Sequence, residues 1–221
     1  MLKLGVLASG RGSNFQSIID AMEEGRLAVS IEVLIVDNAS AFAVRRAEKH
    51  NIPHLYVNPK DFGSRDEFFA KVAGELKARE VGLVVLAGFM RIVRRPLLEA
   101  FPMRVMNIHP AILPSFPGLH GQRQAVDYGV RVSGCTVHFV DEGMDTGPVI
   151  VQAAVPVVPG DSEETLSARI LTLEHKIYPE AIRLFSEGRL EVEGMAVRIK
   201  ERPGGARYDP STFLVSPPLG Y

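Results

Sequence analysis

Asn107-Ile108-His109 places an amide and an imidazole two residues apart at the end of an apolar run. In a strand, residues two apart point to the same side, so Asn107 and His109 address one cavity. An amide N–H₂ donates to a developing oxyanion, and an imidazole donates to it or moves a proton. Together they suit acyl chemistry. Asp145, flanked by Gly143 and Gly147, is the third candidate. A carboxylate beside His109 would orient the ring and stabilise its protonated form. The competing account makes Asp145 a turn residue bonded to its own loop backbone. Spacing alone does not separate the two.

A second candidate lies near the N-terminus. Gly10-Arg11-Gly12-Ser13-Asn14 follows an apolar run and opens a helical pattern. Small residues there let backbone N–H groups approach an anion, and the helix dipole favours negative charge at that point. Ser13 adds a hydroxyl donor. Phosphate binding is one account of this loop; a plain turn with Ser13 and Gln16 as a capping box is the other. The dinucleotide fingerprint wants a small residue where Phe15 stands. Asp37, at the end of the second strand, keeps ribose binding of the NAD type open. No Gly-Lys-Ser/Thr closes the turn as a Walker loop would.

The elements that must carry these residues alternate in type. Strands are expected over 2–9, 29–37, 54–57, 82–88 and 104–109. Phe15, Ile18, Ile19 and Met22 recur at helical spacing. A helix through Phe42, Val44 and Ala47 follows the second strand. Ser64 with Glu67 reads as a capping box, opening a helix that carries Phe68, Val72 and Leu76. Residues 82–88 are continuously apolar, as in a strand buried on both faces. The fold class expected is α/β: a Rossmann-like, mostly parallel twisted sheet with helices on both faces. After Pro110 a helix is expected over 122–128, then β-rich runs over 131–140 and 149–158 that extend the same sheet. Asp161 with Glu164 should cap a long helix burying Leu166, Ile170, Leu173 and Ile177, with Pro179 kinking or restarting it. Residues 190–199 read as a hairpin around Gly194. One domain is expected over 1–200, followed by a Pro/Gly-rich tail over 201–221.

Composition narrows the partners. The 221 residues weigh 24.2 kDa, enough to bury roughly 70% of the unfolded chain's surface without staples. Lys+Arg is 25 and Asp+Glu is 26, a net charge of -1, so no global grip on nucleic acid or anionic lipid is expected. The single cysteine, Cys135, excludes an intrachain disulfide and a multi-Cys zinc site, and its apolar neighbours make it a core residue. His50 and His54 read as surface or packing residues, His120 as a turn or site-loop residue, and His138 as support for its strand or the site. No metal is expected, because no His-x-x-x-His or companion cysteine stands among them. There is no signal peptide pattern, and the 81–90 run is half the length a bilayer needs. A soluble, cytoplasmic protein with small-molecule substrates is expected, as monomer or homodimer.

Taken jointly, these segments resemble the formyltransferases that use 10-formyltetrahydrofolate. The resemblance rests on Ala8-Ser9-Gly10-Arg11-Gly12-Ser13-Asn14, on Val84 through Ile92, on Asn107-Ile108-His109-Pro110 with Leu113-Pro114, and on Pro117-Gly118-Leu119-His120. It continues through Val137-His138-Phe139-Val140, Asp145-Thr146-Gly147-Pro148-Val149-Ile150, Gly160-Asp161-Ser162-Glu163 and Glu174-His175 with Tyr178-Pro179. It covers roughly residues 2–195 in the family's order. It implies that the amine of a phosphoribosylglycinamide attacks the formyl carbon on N10 of the folate, through a tetrahedral intermediate, in purine biosynthesis. Gly12, Ser13 and Asn14 would hold the substrate phosphate, and Glu174 its sugar or glycinamide end. Asn107 and His109 would stabilise the intermediate, His109 also donating a proton, with Asp145 positioning the ring. Arg65, Met90, Arg91, Ile92, Val93, Asn107, Asp141, Glu142, Gly143, Met144 and Asp145 would line the folate site. Gln122, Asp37 and Leu171 depart from the family's usual residues, outside the catalytic trio.

Two competing functions remain. A formyltetrahydrofolate hydrolase would give the formyl group to water; such relatives carry an N-terminal regulatory domain and a histidine where Pro110 stands. A non-catalytic nucleotide or NAD module would use the glycine loop and Asp37, leaving Asn107, His109 and Asp145 without work. A transferase acting on methionyl-tRNA is disfavoured by the lack of a basic excess.

Overall fold

In the computed structural model, residues 1–201 and the backbone of 215–216 are described. The tail expected over 201–221 otherwise lies outside the described residues. The chain divides into two compact units: Met1–Asn107 with Phe139–Gly143, and Ile108–His138 with the chain from Met144 onward.

The first unit alternates strands and helices: β1 (Leu2–Ala8), α1 (Ser13–Glu23), β2 (Val29–Val36), α2 (Ala43–Lys49), β3 (His54–Tyr56), α3 (Arg65–Ala78), β4 (Leu83–Leu86), α4 (Arg95–Ala100) and the start of β5 (Val105–His109), whose last two residues fall in the second unit. Its strands are parallel, in the order β5-β4-β1-β2-β3. The chain moves one way from β1 to β3 and reverses at β4. Right-handed crossovers then put α1 and α2 on one face and α3 and α4 on the other. The α3 face is packed by Leu7, Ile35, Phe68, Phe69, Val72, Leu76 and Val84. Every residue of β4 is buried, as its unbroken apolar run predicts. Ser64 caps α3 by accepting the Glu67 N–H at 3.1 Å, but the Glu67 carboxylate reaches one residue past the cap, to the Gly63 N–H. The six-residue helix α4 has no sequence expectation behind it, since so short a segment shows no period.

The second unit holds α5 (Gly121–Tyr128), β6 (Val132–Phe139), β7 (Val149–Pro156), α6 (Glu163–Ser186), β8 (Leu190–Glu193), β9 (Ala196–Ile199) and β10 (Val215–Ser216). β6 and β7 pair antiparallel, as do β10 with β7 and β8 with β9. The cap of α6 differs from the one expected. Ser162 accepts from the Thr165 N–H and Thr165 Oγ1 accepts from the Ser162 N–H, closing the box one residue later than Asp161 and Glu164. Asp161 instead pairs with Arg169 at 2.8 Å and accepts the Val158 N–H. The helix runs on through Pro179 without restarting. Leu166, Ile170 and Ile177 are buried as expected, whereas Leu173 is half-buried and its neighbour Glu174 takes the inner position.

Gly134 fixes the approach of β6 to β7. A Cβ there would stand 1.9 Å from the Ala153 carbonyl oxygen, backbone that cannot swing aside. Gly134→Ala is therefore expected to destabilise the protein by about 3 kcal/mol, the upper range of overpacking, read as a lower denaturant midpoint at unchanged slope. A second expectation concerns acid. The Arg169 guanidinium beside Asp161 holds its carboxyl well below its ordinary 3.8. A carboxyl depressed by folding adds stability above its unfolded pKa and loses it as pH falls through the folded one. Asp161→Asn should thus melt below the parent at pH 7, with the gap closing as pH drops below about 4. A gap independent of pH would show that the pair contributes no charge-linked stability.

Candidate active site

Strand β5 ends on the Asn-x-His pair, with Asn107 half-buried and His109 only 4% exposed. A ring so enclosed must find partners for both nitrogens within the protein. His109 Nε2 lies 2.9 Å from the Phe116 carbonyl oxygen, and Nδ1 lies 3.3 Å from Asp145 Oδ2. The carbonyl carries no proton, so Nε2 donates. Nδ1 faces a carboxylate and is satisfied only when it too carries a proton. Both ring nitrogens of His109 thus face acceptors, which fixes the direction of the ring.

Asp145 is held from several sides. Its Oδ2 also accepts the Gly118 N–H at 2.8 Å, and its Oδ1 lies 3.7 Å from Nε2 of the buried His138. The carboxylate is turned to His109 and away from its own loop. Both residues that engage His109 have left-handed backbones, Phe116 at φ 54° and Asp145 at φ 55°. That conformation is uncommon for Asp and costly for Phe. Gly121 leaves room for the ring: a Cβ there would lie 3.5 Å from His109 Nε2 and 3.2 Å from the Phe116 oxygen. Sequence spacing gave no sign of the Phe116 carbonyl or the Gly118 N–H, because every residue type carries those groups. His138 was visible as a strand histidine, but not as a neighbour of Asp145.

In the first unit the sheet reverses direction between β1 and β4, the place where open α/β sheets bind ligands. The glycine loop follows β1 there. Gly12 is the N-cap of α1 at φ 66°, and a Cβ on it would stand 2.8 Å from that of Ala43. Ser13 opens the helix and Asn14 is buried. The capping box of Ser13 and Gln16 does not form. Among the described residues no side chain caps α1, and the Gln16 amide is engaged by Asp20 and Arg46 instead. The loop after β4 is tied to the same place: Ser9 N–H donates to the Gly88 carbonyl at 3.1 Å and Met90 N–H to Ser9 Oγ at 2.9 Å. Asp37 pairs with Arg91.

Beside that loop lies a cavity of about 410 Å³, lined by Phe62, Phe68, Phe69, Arg65, Met90, Arg91 and Ile92 among others. It gathers Arg65, Met90, Arg91 and Ile92 from the expected folate set. Val93 is buried in the core cluster on the α3 face. Asp141 accepts the Gly143 N–H at 3.1 Å, Glu142 is exposed, and Met144 is 50% exposed. Glu174 lies buried on α6. Burial, and after it the Glu174 charge, push the Cys135 thiol well above its ordinary range, so Cys135 stays protonated. His120 is exposed at the N-cap of α5, 3.4 Å from Glu163. His50 pairs with Glu23 at 2.6 Å.

Known proteins supply an independent comparison. The family model described as formyl transferase matches residues 2–182. Phosphoribosylglycinamide formyltransferase of Bacillus subtilis is 43% identical over 183 residues, which are 83% of this chain and 94% of that protein. The trifunctional purine biosynthetic protein adenosine-3 of Drosophila pseudoobscura is 46% identical over 190 residues; the match takes 85% of this chain but spans only 14% of that protein's length. A crystal structure of glycinamide ribonucleotide transformylase 1 from Symbiobacterium toebii superposes with a TM-score of 0.90 at 54% identity, covering 91% of this chain and 95% of that one. The α/β fold is thus that of these enzymes, and the chain belongs to the formyl transferase family.

Proposed function

We propose that this protein transfers a formyl group from 10-formyltetrahydrofolate to the amine of N1-(5-phospho-D-ribosyl)glycinamide, a step of purine biosynthesis in the cytoplasm. The observation that carries the proposal is the buried His109 ring, whose nitrogens meet the Phe116 carbonyl and the Asp145 carboxylate. Residues 1–200 would act as one catalytic domain, since the family match runs through both units.

The folate cosubstrate supplies the formyl carbon that the amine attacks; the bond from that carbon to N10 then breaks, and N10 takes up the proton that the amine gives up. As negative charge builds on the formyl oxygen, the Asn107 amide donates to it and His109 delivers a proton, each favouring the transition state over the ground state. Asp145 keeps the His109 ring aimed. The glycine loop, with Gly12 free of a side chain and the helix dipole of α1 behind it, suits the substrate phosphate; Ser13 and Asn14 add polar groups. Glu174 accepts from the sugar or glycinamide end. The cavity beside Met90 suits an arene that carries a carboxylate, for it offers aromatic walls and two arginines. Val93, Asp141, Glu142, Gly143 and Met144 complete the proposed folate contacts.

The direct test is a formyl-transfer assay with the phosphosugar amine and the formylated folate, with a control in which water is the only acceptor. Release of formate at the same rate without the amine would identify a hydrolase instead. His109→Ala and Asp145→Asn should each lower kcat by about tenfold or more, on the scale of positioned acid–base groups, while their thermal unfolding stays cooperative. Normal turnover in both would overturn the catalytic assignment. Ser13→Asp should weaken phosphosugar binding far more than folate binding in calorimetric titrations, because it sets a like charge against the phosphate. Equal losses of both ligands would remove the phosphate from that loop.

A further inference from the structure

The ion pair between Asp37 and Arg91 joins the end of β2 to the loop after β4, and no step above uses it. Arg91 donates through Nε to Asp37 Oδ2 at 2.5 Å. The Asp37 side chain is 6% exposed and the Arg91 side chain 41%. Among the described residues, Asp37 Oδ1 is buried and accepts no hydrogen bond, so this desolvated carboxylate depends on Arg91 for its compensation. The guanidinium carbon also lies 5.8 Å from the centre of the Phe68 ring. The two contacts fix the guanidinium from its Nε edge and from one face. Both terminal Nη groups stay outside the Asp37 hydrogen bond, on a residue that lines the 410 Å³ cavity. Arg65 lines the same cavity with no ion pair among the described residues.

We infer that Asp37 is a positioning residue for the cosubstrate: it clamps Arg91 over Phe68 so that the Nη edge meets the carboxylate-bearing end of the folate. This rests on the folate assignment of the cavity proposed above. An arginine side chain left free would have to be immobilised at each binding event, whereas one held by Asp37 and Phe68 is ordered beforehand. Asp37 also cancels one positive charge next to the glycine loop. What remains for an anion in the cavity is a directed fork rather than a diffuse field.

The test compares the parent with Asp37→Ser and the isosteric Asp37→Asn. For both, the KM for 10-formyltetrahydrofolate should rise roughly fivefold with kcat and the phosphosugar KM unchanged, the size expected for losing one pre-ordered charged hydrogen bond. With a cosubstrate that ends at the pteroate and lacks the glutamate, variants and parent should coincide. Calorimetric titration with tetrahydrofolate and tetrahydropteroate gives the same comparison without turnover. A lowered kcat, an equal effect on both cosubstrates, or no effect on either would overturn the inference. A parent that binds tetrahydrofolate no better than tetrahydropteroate would sink the folate assignment itself. Stability supplies a further check. Arg91→Met should lower Tm more than Asp37→Ser, because it strands the buried carboxylate, and the double variant should recover most of that loss. Equal losses, or no recovery, would show the pair to be a plain surface bridge.

Discussion

An enclosed imidazole with an acceptor at each nitrogen is the constraint around which the second unit is arranged. The Phe116 carbonyl and the Asp145 carboxylate both take hydrogen bonds and supply none to the ring. Each ring nitrogen is thereby set against a fixed acceptor in a place with little water. Asp145 in turn is fixed by the Gly118 N–H and flanked by His138. Left-handed backbones at Phe116 and Asp145 are what bring these groups round, so local strain is borne beside the His109 ring. Behind them, Thr136 bonds the Ala111 carbonyl and the Leu113 N–H, and Gln152 bonds the Leu113 carbonyl. The chain that follows His109 is thereby fastened to β6 and β7.

The first unit solves a different problem, the presentation of backbone and charge at the ends of parallel strands. The reversal between β1 and β4 opens a gap at their C-terminal ends. The chain closes the gap's floor with three ties: Ser9 to Gly88, Met90 to Ser9, and Arg91 to Asp37. A glycine loop on one side and an arginine-bearing, aromatic-walled cavity on the other are thereby held by a shared set of short bonds. Two of the ties are hydrogen bonds of ordinary length, and the third is the ion pair of Arg91 with Asp37.

Much of this architecture could be read from periodicity. A continuous apolar run marks β4, and spacing at helical intervals marks α1, α3 and α6, since burial of both faces or of one stripe is written in every turn. Caps were harder. Ser64 and Ser162 both open helices, yet the partner of Ser64 reaches back to Gly63, and the box at α6 uses Thr165 where Glu164 was expected. Several side chains within a turn can all reach the same orphan N–H groups, and Arg169, eight residues on, decided the matter by claiming Asp161. The helix α4 passed unseen because its signal is too short to stand out from loop sequence.

The sequence alone determined which groups were available: an amide and an imidazole on one strand, an acid in a glycine-flanked loop, and small residues at a helix start. These are properties of residue type and local spacing, and they survive in any fold that keeps the strand and the loop. Tertiary structure alone decided who meets whom. Asp145 was free, by spacing, to bond its own loop, and only the folded chain turned it to His109. Position alone left Asp37 open to a ribose, and in the fold Arg91 occupies it. The Phe116 carbonyl and Gly118 N–H have no sequence signature at all, because main-chain groups acquire an identity only from the direction in which the fold points them.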